Sequence, residues 1–150
     1  MKKKNISQKI RDKKIIVGYT AGVFDLFHIG HLNILRNAKS MCDKLIVGVT
    51  NDGLVSYKNK KAFIPHKERM EIVENIKCVD EVVSQDEIDK YKAWEKIEFD
   101  VLFVADCWKD TPSWNEYERK LKKVNVEVIY FPYTKTTSST KIRTIIDKEI

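Results

Sequence analysis

Gly18 to His31 reads GYTAGVFDLFHIGH, and these fourteen residues join the end of a strand to the start of a helix. Before the stretch, Ile15, Ile16 and Val17 form a β-branched apolar run, the composition of a buried parallel strand. After it, Leu32, Leu35 and Ala38 recur at helical spacing, with Ile34 on the flank. Gly30 and His31 therefore fall at the amino end of a helix, where unpaired N–H groups and the positive end of the dipole favour an anion. His28 and His31 lie three apart across Gly30 and can turn both imidazoles toward one spot within the first helical turn. A glycine between them lets a ligand come close to the backbone. Imidazole donates a hydrogen bond to a phosphoryl oxygen when neutral and adds charge when protonated. An isolated His-x-x-His is more often a cap or a surface pair. Here its place between strand and helix points to phosphate.

The rest of the chain repeats the alternation. A first strand is predicted over Lys14–Thr20 and a helix over Gly30–Met41. A second strand, Leu45–Val49, ends in the turn cluster Thr50-Asn51-Asp52-Gly53. Leu54–Phe63 is polar and basic without a strong period. Pro65 opens a helix carrying Met70, Val73 and Ile76 at helical spacing. A third strand follows over Val79–Val83, then a helix over Glu87–Glu98 with Tyr91, Trp94 and Ile97 on one face. Val101–Ala105 reads as a buried strand leading into Asp106-Cys107-Trp108. Thr111-Pro112-Ser113 starts a helix to Lys123, Val126–Phe131 forms the fifth strand, and Ser138–Ile150 the last helix. This pattern predicts a single-domain α/β fold, Rossmann-like, with a parallel five-stranded sheet in the order 3-2-1-4-5 and helices on both faces. That order sets strand one beside strand four, so the His28 and Asp106 turns share a cleft at the carboxyl ends of the strands.

At 150 residues the chain suits one hydrophobic core. We divide it into a basic lead-in over 1–14 and a single domain over 15–150. The lead-in sets seven Lys or Arg against one Asp and carries much of the +6 net charge, which fits a solvated segment better than a nucleic-acid surface. No apolar run reaches the ~20 residues of a membrane span, and the amino end lacks an apolar signal core. Cys42, Cys78 and Cys107 show neither metal spacing nor a paired framework, and Cys42 and Cys78 are expected to be structural thiols. The expected location is the cytoplasm.

GVFDLFHIGH resembles the signature G-T-F-D-x-x-H-x-G-H of the nucleotidyltransferase family that includes glycerol-3-phosphate and phosphocholine cytidylyltransferases, with Val23 where threonine is usual. Tyr133-Thr134-Lys135-Thr136-Thr137-Ser138-Ser139-Thr140 resembles that family's second signature, R-T-x-G-I-S-T-T. Tyr133, Thr136 and Ser139 depart from it. The likeness runs from about Ile15 to Arg143, so the 15–150 domain is identified as nucleotidyltransferase-like. By this resemblance Val23, Phe24, Asp25, His28, Gly30 and His31 meet the nucleotide. Thr134, Ser138, Ser139 and Thr140 form a second phosphate cradle, although a hydroxyl run ahead of a helix is also a common N-cap. Tyr133 stands at the arginine position, and Lys135 or Lys141 is a candidate to supply the missing charge. Lys58, Lys60 and Lys61 are either a solvated surface or a phosphate clamp. The resemblance assigns Lys58 to acceptor and catalysis and Lys60 to the nucleotide. Lys77 occupies an arginine position in the family's R-Y/W-V-D-E-V pattern and counts with the nucleotide site, while Arg69 and Asp80 are assigned to the acceptor. Val104-Ala105-Asp106-Cys107-Trp108 resembles G-D-D-W. Asp106 and Trp108 would then hold the base, Trp108 being either a stacking face or a core tryptophan.

The implied reaction transfers CMP from CTP to a small phosphorylated acceptor such as glycerol 3-phosphate, giving a CDP-linked product and pyrophosphate. A phosphate nucleophile is already an anion at neutral pH and needs no strong base. His28 and His31 would stabilise charge at the α-phosphate and the departing pyrophosphate. Asp25 would orient a histidine or the turn backbone, and Mg2+ would arrive with CTP rather than on protein ligands. A homodimer is implied, and neither a membrane nor a nucleic acid is expected as partner. Two other readings compete: an ATP-using adenylyltransferase on a phosphorylated acceptor, and a non-catalytic nucleotide- or RNA-binding module.

Overall fold

Five short strands set the architecture, those at Lys44–Thr50 and Val101–Ala105 buried along nearly their whole length. The structure, a computed structural model, describes residues 15–57, 61–132 and 134–149, without the side chains of Tyr57 and Cys107. The lead-in 1–14 and the candidates Lys58, Lys60 and Tyr133 lie outside the described residues. In chain order the elements are β1 (Val17–Gly22), α1 (Ile29–Ser40), β2 (Lys44–Thr50), α2 (Asp52–Tyr57), α3 (His66–Glu74), β3 (Glu81–Gln85), α4 (Lys90–Ile97), β4 (Val101–Ala105), α5 (Pro112–Lys122), β5 (Glu127–Phe131) and α6 (Ser139–Glu149). The sheet is parallel in the order β3-β2-β1-β4-β5, as the sequence pattern predicts.

The strands divide their side chains between two cores. Leu45, Val47 and Val49 of β2 pack on one face against Leu35 and Ala38 of α1 and Val73 of α3. Ile46 of β2 and Leu102 and Val104 of β4 turn to the other face, against Trp114 and Leu121 of α5 and the Tyr91, Trp94 and Ile97 stripe of α4. Each fully buried Leu, Val or Phe contributes about 1.5–3 kcal/mol of burial. Tyr19, 1% exposed, stacks on Phe99 at 4.9 Å between centroids and lies over β2 at Gly48. A Cβ on Gly48 would stand 2.1 Å from the Tyr19 hydroxyl, so only glycine admits that ring. Cys42 and Cys78 are unpaired thiols, and burial pushes Cys42 up to about 11.

Several boundaries differ from the sequence pattern for local reasons. β1 starts at Val17 because Ile15 is exposed and the Ile16 N–H goes to the Asp43 carboxylate at 2.7 Å. β3 starts at Glu81 because the Val79 N–H closes a turn onto the Ile76 carbonyl. α4 starts only at Lys90, since Asp89 caps it by accepting from the Tyr91 N–H at 2.8 Å. The stretch after Asp52, expected to be irregular, opens with α2, capped where the Leu54 N–H donates to the Asn51 side chain at 2.8 Å. An Asn followed by acidic Asp52 was the signal for that helix.

Among the described residues no helix is long and apolar enough to cross a membrane. At the carboxyl ends of the strands a cleft of about 1240 Å³ opens, walled by the turns after β1 and β4 and by the start of α6.

Candidate active site

The chain leaves β1 through Val23–Phe27, a turn in which Phe24 and Leu26 both adopt left-handed backbone angles, φ 54° and 51°. Such residues cost on the order of 1–2 kcal/mol each and persist only where their surroundings fix them. Asp25, between them, does much of that fixing. It is 2% exposed, and its carboxylate accepts from the Phe63 N–H (2.9 Å), the Ile64 N–H (3.0 Å) and Arg143. The Val23 carbonyl is held from below by Arg69 at 2.7 Å.

His28 and His31 then form a reciprocal cap on α1. His28 Nδ1 accepts from the Gly30 N–H at 3.0 Å, and His31 Nδ1 accepts from the His28 N–H at 3.2 Å. These partners assign the tautomer, because a nitrogen that accepts carries no proton. Each neutral ring must hold its hydrogen on Nε2, the edge turned away from the helix backbone. The rings lie 3.9 Å apart between centroids. Gly30 is required here, since a Cβ would come 2.8 Å from His28 Cε1 and push the ring out of the cap.

Burial lowers His28 from its ordinary value, and burial together with the neighbouring His28 lowers His31 to about 4, Asp25 acting weakly the other way. Both rings are therefore neutral donors at pH 7. The stability consequence has a definite sign. Between about pH 6.5 and pH 4 the unfolded chain binds a proton at His31 that the folded chain excludes, so stability is full above that window and falls as pH drops through it. Urea unfolding from about pH 7 to about pH 4 should show this decline, reduced in His31→Gln; an equal decline in both proteins would contradict it.

The second cradle meets the first. Ser139 Oγ donates to the Asp25 carbonyl at 2.7 Å, and Asn33 Nδ2 donates to Thr134 Oγ1 at 3.2 Å. Two stretches more than a hundred positions apart thus close on the same end of the cleft. Ser139 and Thr140 line it, while Ser138 caps α6 by accepting from the Lys141 N–H at 3.1 Å. The Lys141 ammonium folds back onto the Lys135 carbonyl at 2.7 Å. No described residue of α6 is buried, so its placement rests on these polar contacts and on Arg143. Arg143 pairs with Asp25, donates to the Lys61 carbonyl at 2.8 Å and lies 4.8 Å from the Phe63 ring. The sequence reading missed Arg143, although it stands four positions after Ser139 and so on the same helical face.

On the β4 side, Asp106 and Trp108 occupy a single turn of 3-10 helix at the strand's carboxyl end. Trp108 is 47% exposed and lines the cleft, with Trp114, only 8% exposed, behind it at 6.3 Å. Of the two readings of Trp108 the open face is the one observed.

Three sequence expectations are corrected. Arg69 is 0% exposed, and its guanidinium is spent on the carbonyls of Ile64, Val23 and Thr50 and on Asp52, so it pins the floor of the site and does not reach an acceptor. Asp80 precedes β3 and so lies at the amino edge of the sheet, roughly 16 Å of strand away from the cleft. There it accepts from Lys39 Nζ at 2.6 Å and the Leu45 N–H at 2.7 Å. Partial burial would raise its carboxyl, but these donors outweigh it and hold the group low. Lys77, before the same strand, is exposed on that far edge. Asp25 lines the cleft, and its carboxylate is held by protein donors that fix the turn, the orienting role expected of it.

Comparison with known proteins agrees with this geometry. The model of the family described as cytidylyltransferase-like matches residues 19–145. The chain is 36% identical over 132 residues to a glycerol-3-phosphate cytidylyltransferase of Bacillus subtilis, covering 87% of this chain and 95% of that one. It is 33% identical over 138 residues to an FAD synthase of Thermococcus sibiricus, covering 91% and 93%. Among solved structures, the lipopolysaccharide core biosynthesis protein from Thermoplasma volcanium superposes with a TM-score of 0.68 at 24% identity, over 82% of this chain and 99% of that one, a likeness of fold.

Proposed function

This chain belongs to the cytidylyltransferase-like family, and on that premise we propose that it transfers CMP from CTP to a small phosphate monoester, with glycerol 3-phosphate as the reference acceptor. The observation that carries the reading is the meeting of two helix openings, one bearing His28 and His31 and one bearing hydroxyls, with His31, Ser139 and Thr140 lining one cleft. A triphosphate needs such convergent donors along its length.

In the proposed reaction an oxygen of the acceptor phosphate forms a bond to the α-phosphorus. The bond from that phosphorus to the bridging oxygen breaks, and its electron pair leaves with pyrophosphate. No proton has to move, which suits neutral imidazoles that donate and do not abstract. His28 and His31 hold the α-phosphate and the leaving bridge, while Ser139, Thr140 and the open N–H groups of α6 take the outer phosphates. Trp108 offers a face to the base. Asp25 and Arg143 keep the two cradles in register. Among the described residues no three His, Cys, Asp or Glu side chains converge as a metal cage. That donor set fits magnesium carried in on triphosphate oxygens, where it would neutralise phosphate charge.

The similarity to FAD synthases favours a second reading, with ATP as the nucleotide. Pyrophosphate release with each of the four nucleoside triphosphates and magnesium, over a panel of phosphate monoesters, separates the two. CTP is expected to support the fastest release. Faster release with ATP would establish the second reading, and none with any triphosphate would overturn both.

A further inference from the structure

Residues 61–64 lead the chain from the lysine cluster toward α3, and Lys61, Ala62 and Phe63 line the cleft. Arg69 sets this stretch beside the end of β2, donating to the Ile64 carbonyl and to the Thr50 carbonyl, each at 2.8 Å. Trp108 follows β4, on the other side of β1. A base stacked on Trp108 with its phosphates at the histidines therefore leaves the side of residues 61–64 for the acceptor, where Lys61 is exposed.

This stretch has no regular structure, and polar contacts tie it to the site. The Phe63 and Ile64 N–H groups donate to the Asp25 carboxylate at 2.9 and 3.0 Å. Arg143 donates to the Lys61 carbonyl at 2.8 Å, lies 4.8 Å from the Phe63 ring and pairs with the same Asp25 carboxylate. One guanidinium thus joins the acceptor side, the turn after β1 and α6. Ser139, assigned above to the outer phosphates, stands one turn before Arg143 on that helix. No described residue of α6 is buried. A helix sunk in the core would already be fixed, whereas one held by polar contacts gains order when a ligand binds at its opening.

Resting on the cytidylyltransferase reading, we propose that Arg143 is a positioning residue that couples the two substrates. A triphosphate seated at the opening of α6 fixes the helix, Arg143 carries the restraint to residues 61–64, and the acceptor meets a stretch already ordered. The linkage is reciprocal, so the acceptor tightens the triphosphate by the same factor.

The first test uses inorganic triphosphate with magnesium, which presents the phosphates without a base, and reads hydrogen exchange at the Phe63 and Ile64 amides. Saturating triphosphate should slow both by at least about fivefold in the parent. Arg143→Met should still bind triphosphate yet lose the slowing, and Arg143→Lys, which keeps the charge without the fork, should retain part of it. In calorimetry, glycerol 3-phosphate should bind at least about fivefold tighter beside α,β-methylene-CTP than alone, a gain that Arg143→Met removes. No slowing in the parent, equal slowing in the parent and Arg143→Met, or an acceptor affinity that the CTP analogue leaves unchanged overturns the proposal. Arg143-dependent slowing without pyrophosphate release from any nucleoside triphosphate would uphold the coupling and overturn the reaction assignment instead. Circular dichroism and thermal melts check the fold of both variants, and the parent alone can overturn the proposal if either is unfolded.

Discussion

Serine in place of His28 should leave α1 capped and lower kcat by about two to three orders of magnitude. The substitution separates two jobs that one ring performs. Nδ1 of His28 accepts from the Gly30 N–H and so acts as an N-cap, a role a serine hydroxyl also fills. Nε2–H has no such substitute, and it is the group assigned to the α-phosphate. His28→Ala should lose the same activity and, in addition, about 1 kcal/mol of stability from the missing cap. Steady-state kinetics and urea unfolding on both variants read the two effects apart. If the serine variant turned over at the parent rate, the imidazole would be only a cap and the catalytic assignment would fall.

Methionine in place of Arg69 should act in the opposite sense, on the fold and not on substrate. Arg69 is wholly buried and supplies donors to three carbonyls and to Asp52. Removing it strands the three carbonyls, while Asp52 keeps its access to solvent, a loss of about 3–5 kcal/mol. That is a large part of the total stability of an ordinary domain, about 5–15 kcal/mol. The denaturation midpoint should drop accordingly, while in the folded fraction KM for the acceptor changes by no more than about twofold. An unchanged midpoint with a greatly raised acceptor KM would restore Arg69 to the binding site.

The contrast between these residues shows what a sequence makes legible. The strand order follows from alternation and chain geometry, and it brings the turn after β1, the turn after β4 with Trp108, and the hydroxyl run near Ser139 to one cleft. The same logic contained the correction for Lys77 and Asp80. Residues that precede a parallel strand lie at the amino edge of the sheet, whereas the cleft forms at the carboxyl edge. Motif likeness pulled both residues toward the site against that topology. The buried role of Arg69 was not legible, because a charged side chain reads the same whether it meets solvent, substrate or a carbonyl from a distant loop. A cap was one reading of the His-x-x-His spacing, but its reciprocal geometry was not legible. Caps are mostly read from Ser, Thr, Asp and Asn, and which ring nitrogen accepts from which N–H becomes visible only with the backbone in place.

Convergence of the two helix openings on one triphosphate is tested most directly with CTP and Mn2+ in place of magnesium, by following the backbone amide signals of the protein. A paramagnetic ion held by the triphosphate should broaden residues 28–31 and residues 138–141 together. Broadening confined to one of these segments, or to neither, would contradict the shared site.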